Sequence, residues 1–582
     1  MNGAGASSAT RHRGSATFDR EPPTATTTAF ERKIMSTALA TRSSAPVADT
    51  YTVQTKVRNH SSVHDKRWVI LAVLCLSLFI SVLDDTIMNV TLPSLVRQLG
   101  ATTSQLQWIV DAFALVFAGL LLAAGSLADR FGRKPALLTG LALFATFSAL
   151  GAAASTSGQL IAARALMGIG AALIFPTTLA ILSNVFTDAK ERAQAIGIWS
   201  AVTGAAVALG PIAGGFLLEH FWWGSVLLIN VPICAIAIFL GWKILPNSKD
   251  ADAPRLDIGG LVLSILAVGT LVYTVIEGPQ VGWASGRTMI GFAIAAVAGL
   301  AFVVWENGSE HPMLDVAVFS NARFSAASAT ITAAFFALFG FIFTVTQFLQ
   351  FVKGYNTLET GVRTLPFAVA TGFAAPFAVK MVRKIGTKYV VAAGLATMAV
   401  GFLVTSTFSA TTTYTTIAAS MVLLGGGLGL IMAPATESIM GSLPTEKAGV
   451  GSAVNDTTRQ LGGTLGVAVI GSLFASAYGD KLTSGLRGLL PERAVTAARS
   501  SIGAAYAVAD AAPADARPMI RRVASDSFLS GFARGAIVTS GVALIGAIVA
   551  LAFLPARSTA TEAANEASVS SAMISAAVGG AR

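Results

Sequence analysis

The chain has 582 residues, 54% of them hydrophobic and only 12% charged. A soluble globular protein carries about a quarter charged residues, so this composition excludes an ordinary soluble domain. The formal charge of +10 does not indicate nucleic acid, because the basic residues sit in turns between apolar runs, as in a chain oriented across a membrane.

Residues 1–66 are rich in Ser, Thr and Ala and lack a long apolar run. They read as a disordered cytoplasmic tail without a secretory signal, with Met35 as a second candidate start. A helix needs about 20 apolar residues to cross the hydrocarbon. Fourteen runs qualify: 68–90, 105–126, 136–155, 158–184, 193–218, 222–245, 257–277, 287–306, 324–351, 358–380, 388–408, 413–440, 448–477 and 528–554. An even number of spans puts both tails on one face. The short loops on that face carry Arg130, Arg133, Lys134, Lys190, Arg192, Lys243 and most of the other loop cations through Lys447. Those on the opposite face carry only Arg97, Arg287, Lys353 and Arg363. The positive-inside rule therefore places both tails in the cytoplasm. Segment 478–527 becomes a long external loop, and 556–582 a second small-residue tail.

Between spans 2 and 3 lies a charged turn, Gly125 to Lys134. The second half echoes it: Lys384, Gly386 and Lys388 are spaced as Arg130, Gly132 and Lys134 are. Such a repeat predicts two parallel six-helix halves related by an axis along the membrane normal. The expected organisation is an all-α membrane protein with one bundle over 67–246 and another over 323–555. A linker, 247–322, contributes two inserted spans that pad the assembly.

Ionisable residues inside spans are expensive and mark function by default. At 1.5 Å per residue, Asp84 lies about 24 Å along span 1, while Asp111 and Arg164 lie about 9 Å into spans 2 and 4 from the far face. The three share a similar depth. A carboxylate beside a guanidinium holds its charge more firmly, and a desolvated one takes up a proton more readily. Asp84 is thus expected as a substrate- or proton-responsive acid, Asp111 as a second acid and Arg164 as their electrostatic tuner. The competing reading is a static buried ion pair that sets helix registry, and Asp85 is an alternative inward-facing acid. In span 13, Asp456 and Arg459 are three apart and can meet on one helix face, as a salt bridge or a coupling pair. Span 5 places Gly197, Gly204, Gly210, Gly214 and Gly215 among alanines, with Pro211 to kink it. The phenylalanines of span 9 suit core or lipid contact, or a flat apolar ligand. No P-loop, metal-ligand spacing or nucleophile triad occurs. Cys75 and Cys234 read as inert thiols. No enzyme activity, cofactor or metal is expected.

Four motifs carry a resemblance. Gly125-Ser-Leu-Ala-Asp129-Arg130-Phe-Gly132-Arg133-Lys134 resembles motif A of the major facilitator superfamily. Gly197–Gly215, ending Gly210-Pro211-x-x-Gly214-Gly215, resembles the antiporter motif of drug exporters, with Ala206 where a glycine is usual and Gly204 two residues away. Leu83-Asp84-Asp85-Thr86 through Pro93 resembles the first-span motif of the fourteen-helix drug:proton antiporters. Ala163 to Gly168 resembles their fourth-span motif, with Met167 where Gln is common. The resemblance implies a proton-coupled exporter of amphipathic, aromatic or cationic small molecules. Its partners would be a small-molecule substrate, protons and the lipid bilayer, with no nucleic acid, and the protein would be a monomer in a bacterial cell membrane. It also implies a state-dependent contact between Asp129 and the N-terminus of span 13 near Gly449. Two other readings stay open: an exporter of an endogenous metabolite, lipid or siderophore, and a membrane sensor or scaffold without transport.

Overall fold

A computed structural model describes residues 66–249, 257–310, 312–443 and 448–556. Nearly all of both expected tails therefore lies outside the described residues. Each apolar run forms a helix, because in lipid only intrasegment hydrogen bonds satisfy the backbone. The N-terminal bundle comprises α1 (Arg67–Leu99), α2 (Thr103–Phe131), α3 (Arg133–Ala152), α4 (Ser157–Val185), α5 (Ala189–His220) and α6 (Ser225–Ile244). The inserted pair is α7 (Ile258–Val281) and α8 (Gly286–Gly308). The second bundle comprises α9 (Ala322–Val352), α10 (Thr357–Ile385), α11 (Thr387–Ser406), α12 (Tyr414–Met440), α13 (Ala448–Leu486), then α14 (Glu492–Arg499), α15 (Ile502–Ala511) and α16 (Arg517–Phe553). Fourteen of these helices are long and apolar enough to span a membrane, at the positions the runs predict. Helix starts are set locally: Thr102 and Gln105 form a capping box at α2, and Asn356 and Glu359 form another at α10.

Within the first bundle α4 packs on α2 and α3, and α1 on α5 and α6. Within the second, α9 packs on α13, α12 on α10 and α11, and α16 on α11 and α13. The inserted pair packs on itself, and α7 also leans on both α2 and α13. Val272, Val275 and Ile276 of α7 bury against Ala468 of α13, with Trp108 of α2 alongside. On α8, Val297, Leu300 and Val304 stay exposed, as lipid-facing side chains would be. This pair is a brace at the seam between bundles.

The two charged turns are built alike. Gly132 joins α2 to α3 at φ 116, and Gly386 joins α10 to α11 at φ 92, a backbone region that a Cβ resists. Each turn is strapped by the chain that follows its bundle's last span. Arg133 N–H donates to Ser248 O at 2.9 Å, and Lys388 N–H donates to Pro555 O at 3.3 Å. The structure thus repeats what the sequence repeats, and it places these turns at the face where the helical core begins and ends, called here the tail face.

The segment 478–527, read from sequence as a loop, is mostly helical. Helix α13 runs on to Leu486 beyond the membrane length, α14 and α15 follow, and α16 starts early at Arg517. Val495, Ala498, Ile502, Ala505 and Ala509 are buried there. Apolar residues at helical spacing inside an otherwise polar stretch are the signal that span-length scanning overlooks.

Candidate functional site

Of the three charges that the sequence places at one depth, Asp84 and Arg164 meet. Asp84 is 1% exposed and Arg164 is fully buried. Arg164 Nη1 donates to Asp84 Oδ2, and Asn230 Nδ2 donates to Asp84 Oδ1 at 2.6 Å. Asn230 also donates to Ser148 Oγ at 2.9 Å, which in turn donates to Leu227 O at 2.7 Å. The guanidinium is further held by Ile109 O at 3.2 Å and lies 4.3 Å from the Phe113 ring centroid. Five helices therefore immobilise one buried ion pair. Asn230 and Ser148 were not singled out from sequence. Their signal was a polar residue within an apolar span, the same signal that marks the charges.

Asp111 behaves differently. It is fully buried, and neither carboxyl oxygen has a hydrogen-bond partner. Asp85, half-buried on α1, is close enough for its charge to oppose that of Asp111. One donor of Arg164, Nη2, is likewise buried without a partner. Asp84 is thus a satisfied acid, paired with Arg164, and Asp111 an orphaned one.

A small cavity of about 70 Å³ lies between the bundles. Thr86, Asn89 and Val90 of α1, Pro211 of α5, Phe341 and Thr346 of α9, Phe367 of α10 and Met421 of α12 are among its walls. Asn89 Oδ1 is buried and unpartnered, so the wall offers a hydrogen-bond acceptor amid apolar surface. Of the span 9 phenylalanines, Phe341 lines this cavity, while Phe343 and Phe348 are fully buried in packing.

The bundles are joined at the face opposite the tails. Thr357 Oγ1 donates to Gly215 O and to Glu219 Oε2, both at 3.3 Å. Gln107 Nε2 reaches from α2 to Val467 O, Ala468 O and Ser472 Oγ of α13. Thr103 N–H and Oγ1 both donate to Ser500 O, at 3.1 and 3.0 Å, so the chain between α14 and α15 caps the start of α2. These bonds join α2 to α13 and α5 to α10.

The glycines of span 5 divide along this line. Gly210 and Gly214 abut Thr86 and Ile87 of α1, and a Cβ at Gly215 would lie 2.7 Å from Thr357 O of α10. Gly197 and Gly204 are exposed and face open space. Gly204 therefore does not stand in for the missing glycine of the motif, and Ala206 is the buried residue of that turn. Among the described glycines of α5, close backbone approach is confined to the far-face half. A side chain at Gly361 of α10 would run into the carbonyl of Pro211, whereas Gly372 faces open space. Gly361→Leu is expected to cost about 1–3 kcal/mol of overpacking, and Gly372→Leu almost nothing. Thermal unfolding of the two variants in detergent checks this, and equal midpoints would refute the packing described.

On the tail face the turn Gly125–Lys134 closes on its own bundle. Asp129 accepts from Arg133 Nε at 2.7 Å, and Lys134 Nζ donates to Trp242 O at 2.7 Å. The expected contact of Asp129 near Gly449 lies outside the described side chains. Arg130 lies 5.8 Å over the Phe131 ring. In the second bundle Asp456 and Arg459 meet at 3.9 Å, as their spacing predicts. Arg459 also donates to Thr436 Oγ1 at 3.1 Å and lies over Phe335. This cluster is separate from Asp84, Asp111 and Arg164. Among the described residues there is no group of three or more His, Cys, Asp and Glu that could hold a metal ion.

Known proteins bear on this geometry. The family profile described as Major Facilitator Superfamily matches residues 74–467. The chain is 38% identical to the multidrug efflux pump LfrA of Mycolicibacterium smegmatis, over 84% of this chain and 96% of that protein. It is 34% identical to the methyl viologen resistance protein SmvA of Salmonella typhimurium, over 80% of this chain and 93% of that one. It is 33% identical to the tetracenomycin C resistance and export protein of Streptomyces glaucescens, over 84% and 92% respectively. Among solved structures, an inward-facing bacterial homolog of the human lysosomal transporter Spinster shares the fold, with a TM-score of 0.59 at 15% identity over 83% of this chain and 98% of that one. Fourteen membrane-length helices, a repeated charged turn and a cavity between two bundles accord with these matches: the chain is a multi-pass membrane protein and belongs to the major facilitator superfamily.

Proposed function

We propose that this protein is a proton-coupled exporter that expels amphipathic, aromatic or cationic small molecules across the cell membrane. The observation that carries the reading is Asp111: a carboxyl fully buried in a span with neither oxygen partnered, in the same bundle as the Asp84–Arg164 pair. A buried carboxyl without a partner is accommodated as the neutral acid. Ionising it demands that a cation or water reach it, so the helices around it must move. Proton uptake and helix movement are thereby linked.

The remaining parts fit an alternating-access cycle. Residues 67–246 and 323–555 act as the two moving bundles, with 247–322 as the linker that carries the inserted brace. Both tails and the Gly125–Lys134 turn lie in the cytoplasm, on the basic-loop side. The extracellular face is sealed in this state, and the cytoplasmic halves of α5 and α10 are apart. Substrate enters from the cytoplasm or the inner leaflet and packs against Phe341, Phe367 and Met421, with a donor to Asn89 Oδ1. When the cytoplasmic face closes, Asp129 leaves Arg133 and docks at the start of α13, where a helix N-terminus favours an anion. The Asp456–Arg459 pair is an internal salt bridge near that end. The protein works as a monomer, each chain holding a complete site.

Everted membrane vesicles test the proposal. With an imposed proton gradient, uptake of methyl viologen or a fluorescent cationic dye should exceed that of vesicles lacking the protein, and a protonophore should abolish the difference. Uptake indifferent to the gradient across a panel of aromatic and cationic compounds would overturn it.

A further inference from the structure

We infer that Gln350 is the extracellular latch of this exporter, a positioning residue set at the interface by a π-helical turn. The inference rests on the alternating-access reading above and adds the residue that holds the outer gate. Near its end, α9 departs from α-helical bonding: Phe348–Val352 form a π-turn. Such turns are rare and frequently mark functional sites. Gln350, at the middle of the turn, is 7% exposed. Its Nε2 donates to Val90 O of α1 at 3.1 Å, and its Oε1 accepts from Arg97 Nη2 of α1 at 3.3 Å. Both bonds cross from the second bundle to the first.

The receiving turn of α1 is prepared for this. Pro93 lies inside the helix and has no N–H to give, which loosens the ladder beside Val90. Arg97 is aimed by Ser94 Oγ at 3.2 Å and lies 5.7 Å over the Phe351 ring, the residue after Gln350. Tyr506 of α15 donates to Phe351 O at 3.1 Å, so the extracellular helices hold the π-turn from above. Val90 also lines the central cavity. Opening the cavity outward requires these bundle-to-bundle bonds to break, and a buried amide stripped of both partners is unfavourable. The latch therefore biases the resting protein toward the outward-closed state until substrate and protons redistribute it.

The test uses the full chain in cells, with Cys75→Ser and Cys234→Ser as background and Thr346→Cys as a reporter in the cavity wall. A membrane-impermeant maleimide is applied from outside, and from inside through everted vesicles. Gln350→Ala and Gln350→Met should each raise outside labelling at least fivefold and slow inside labelling. Met fills the volume of Gln without its hydrogen bonds, so it separates the latch from simple packing. Labelling at the parental rate in both variants, or a rise with Ala but not with Met, would overturn the inference. Labelling needs neither substrate nor gradient, so a failure here leaves proton-coupled export standing, and a failure of gradient-driven uptake leaves this readout intact.

Discussion

Asp111→Asn should yield a protein that folds, binds substrate and exchanges it across a bilayer, yet no longer responds to a proton gradient. The amide reproduces the size and neutrality of the protonated acid, so the buried site loses nothing it holds in this state. Stability should change by less than about 1 kcal/mol, the small end of point-substitution effects. Gradient-driven transport in proteoliposomes should fall at least 100-fold, because the side chain can neither take up nor release a proton. Substrate counterflow at equal pH should persist, since exchange needs only the bundles to rock with substrate aboard. The contrast separates a coupling acid from a merely structural one, which would depress both readouts together. Gradient-driven uptake that survives in Asp111→Asn, with counterflow unchanged, would move the coupling site elsewhere, and Asp85 would be the next acid to neutralise.

The fold was legible because lipid leaves few choices. A run of about 20 apolar residues has one outcome in a bilayer, so all fourteen spans could be placed from hydropathy. Gly132 and Gly386 betrayed the two-fold repeat because a positive-φ turn between helices tolerates little else. Segment 478–527 was misread for the opposite reason. Outside the membrane, hydropathy no longer dictates structure, and α14 and α15 are stabilised by burying Ala498, Ile502 and Ala505 against neighbours remote in sequence. In the candidate site, depth arithmetic brought Asp84 and Arg164 together correctly, because rise per residue is constant. It could not apportion partners. Whether Asp84 or Asp111 takes the single guanidinium depends on helix rotation and on Asn230, which approaches from a sixth helix 146 positions away. The span 5 glycines divide: their spacing announces close approach, which Gly210, Gly214 and Gly215 make, while Gly197 and Gly204 lie on the half of α5 that this structure leaves open.

The largest effect on stability should come from the ion pair itself. Asp84→Ala leaves Arg164 charged, fully buried and facing only Ile109 O and the Phe113 ring. Breaking a buried pair by removing one partner costs about 3–5 kcal/mol, chiefly through the charge left behind. That is a large fraction of what holds a folded protein together, so the variant should be recovered in low yield with a sharply lowered unfolding midpoint. Removing both charges is another matter. Asp84→Ala with Arg164→Met supplies an apolar chain of similar length to pack on Phe113, and such replacements are often neutral or stabilising. The double variant should regain most of the lost stability, a coupling that a thermal-unfolding cycle reads directly. Transport then discriminates between the two readings of the pair. If the pair only fixes registry, the double variant exports at the parental rate. If Arg164 also receives Asp111 when that acid ionises, the double variant folds but cannot turn over, because the deprotonated carboxyl has no cation to meet. Arg164 keeps a buried Nη2 without a partner and Asp111 two buried oxygens without one, and the second outcome is the one in which both find a partner.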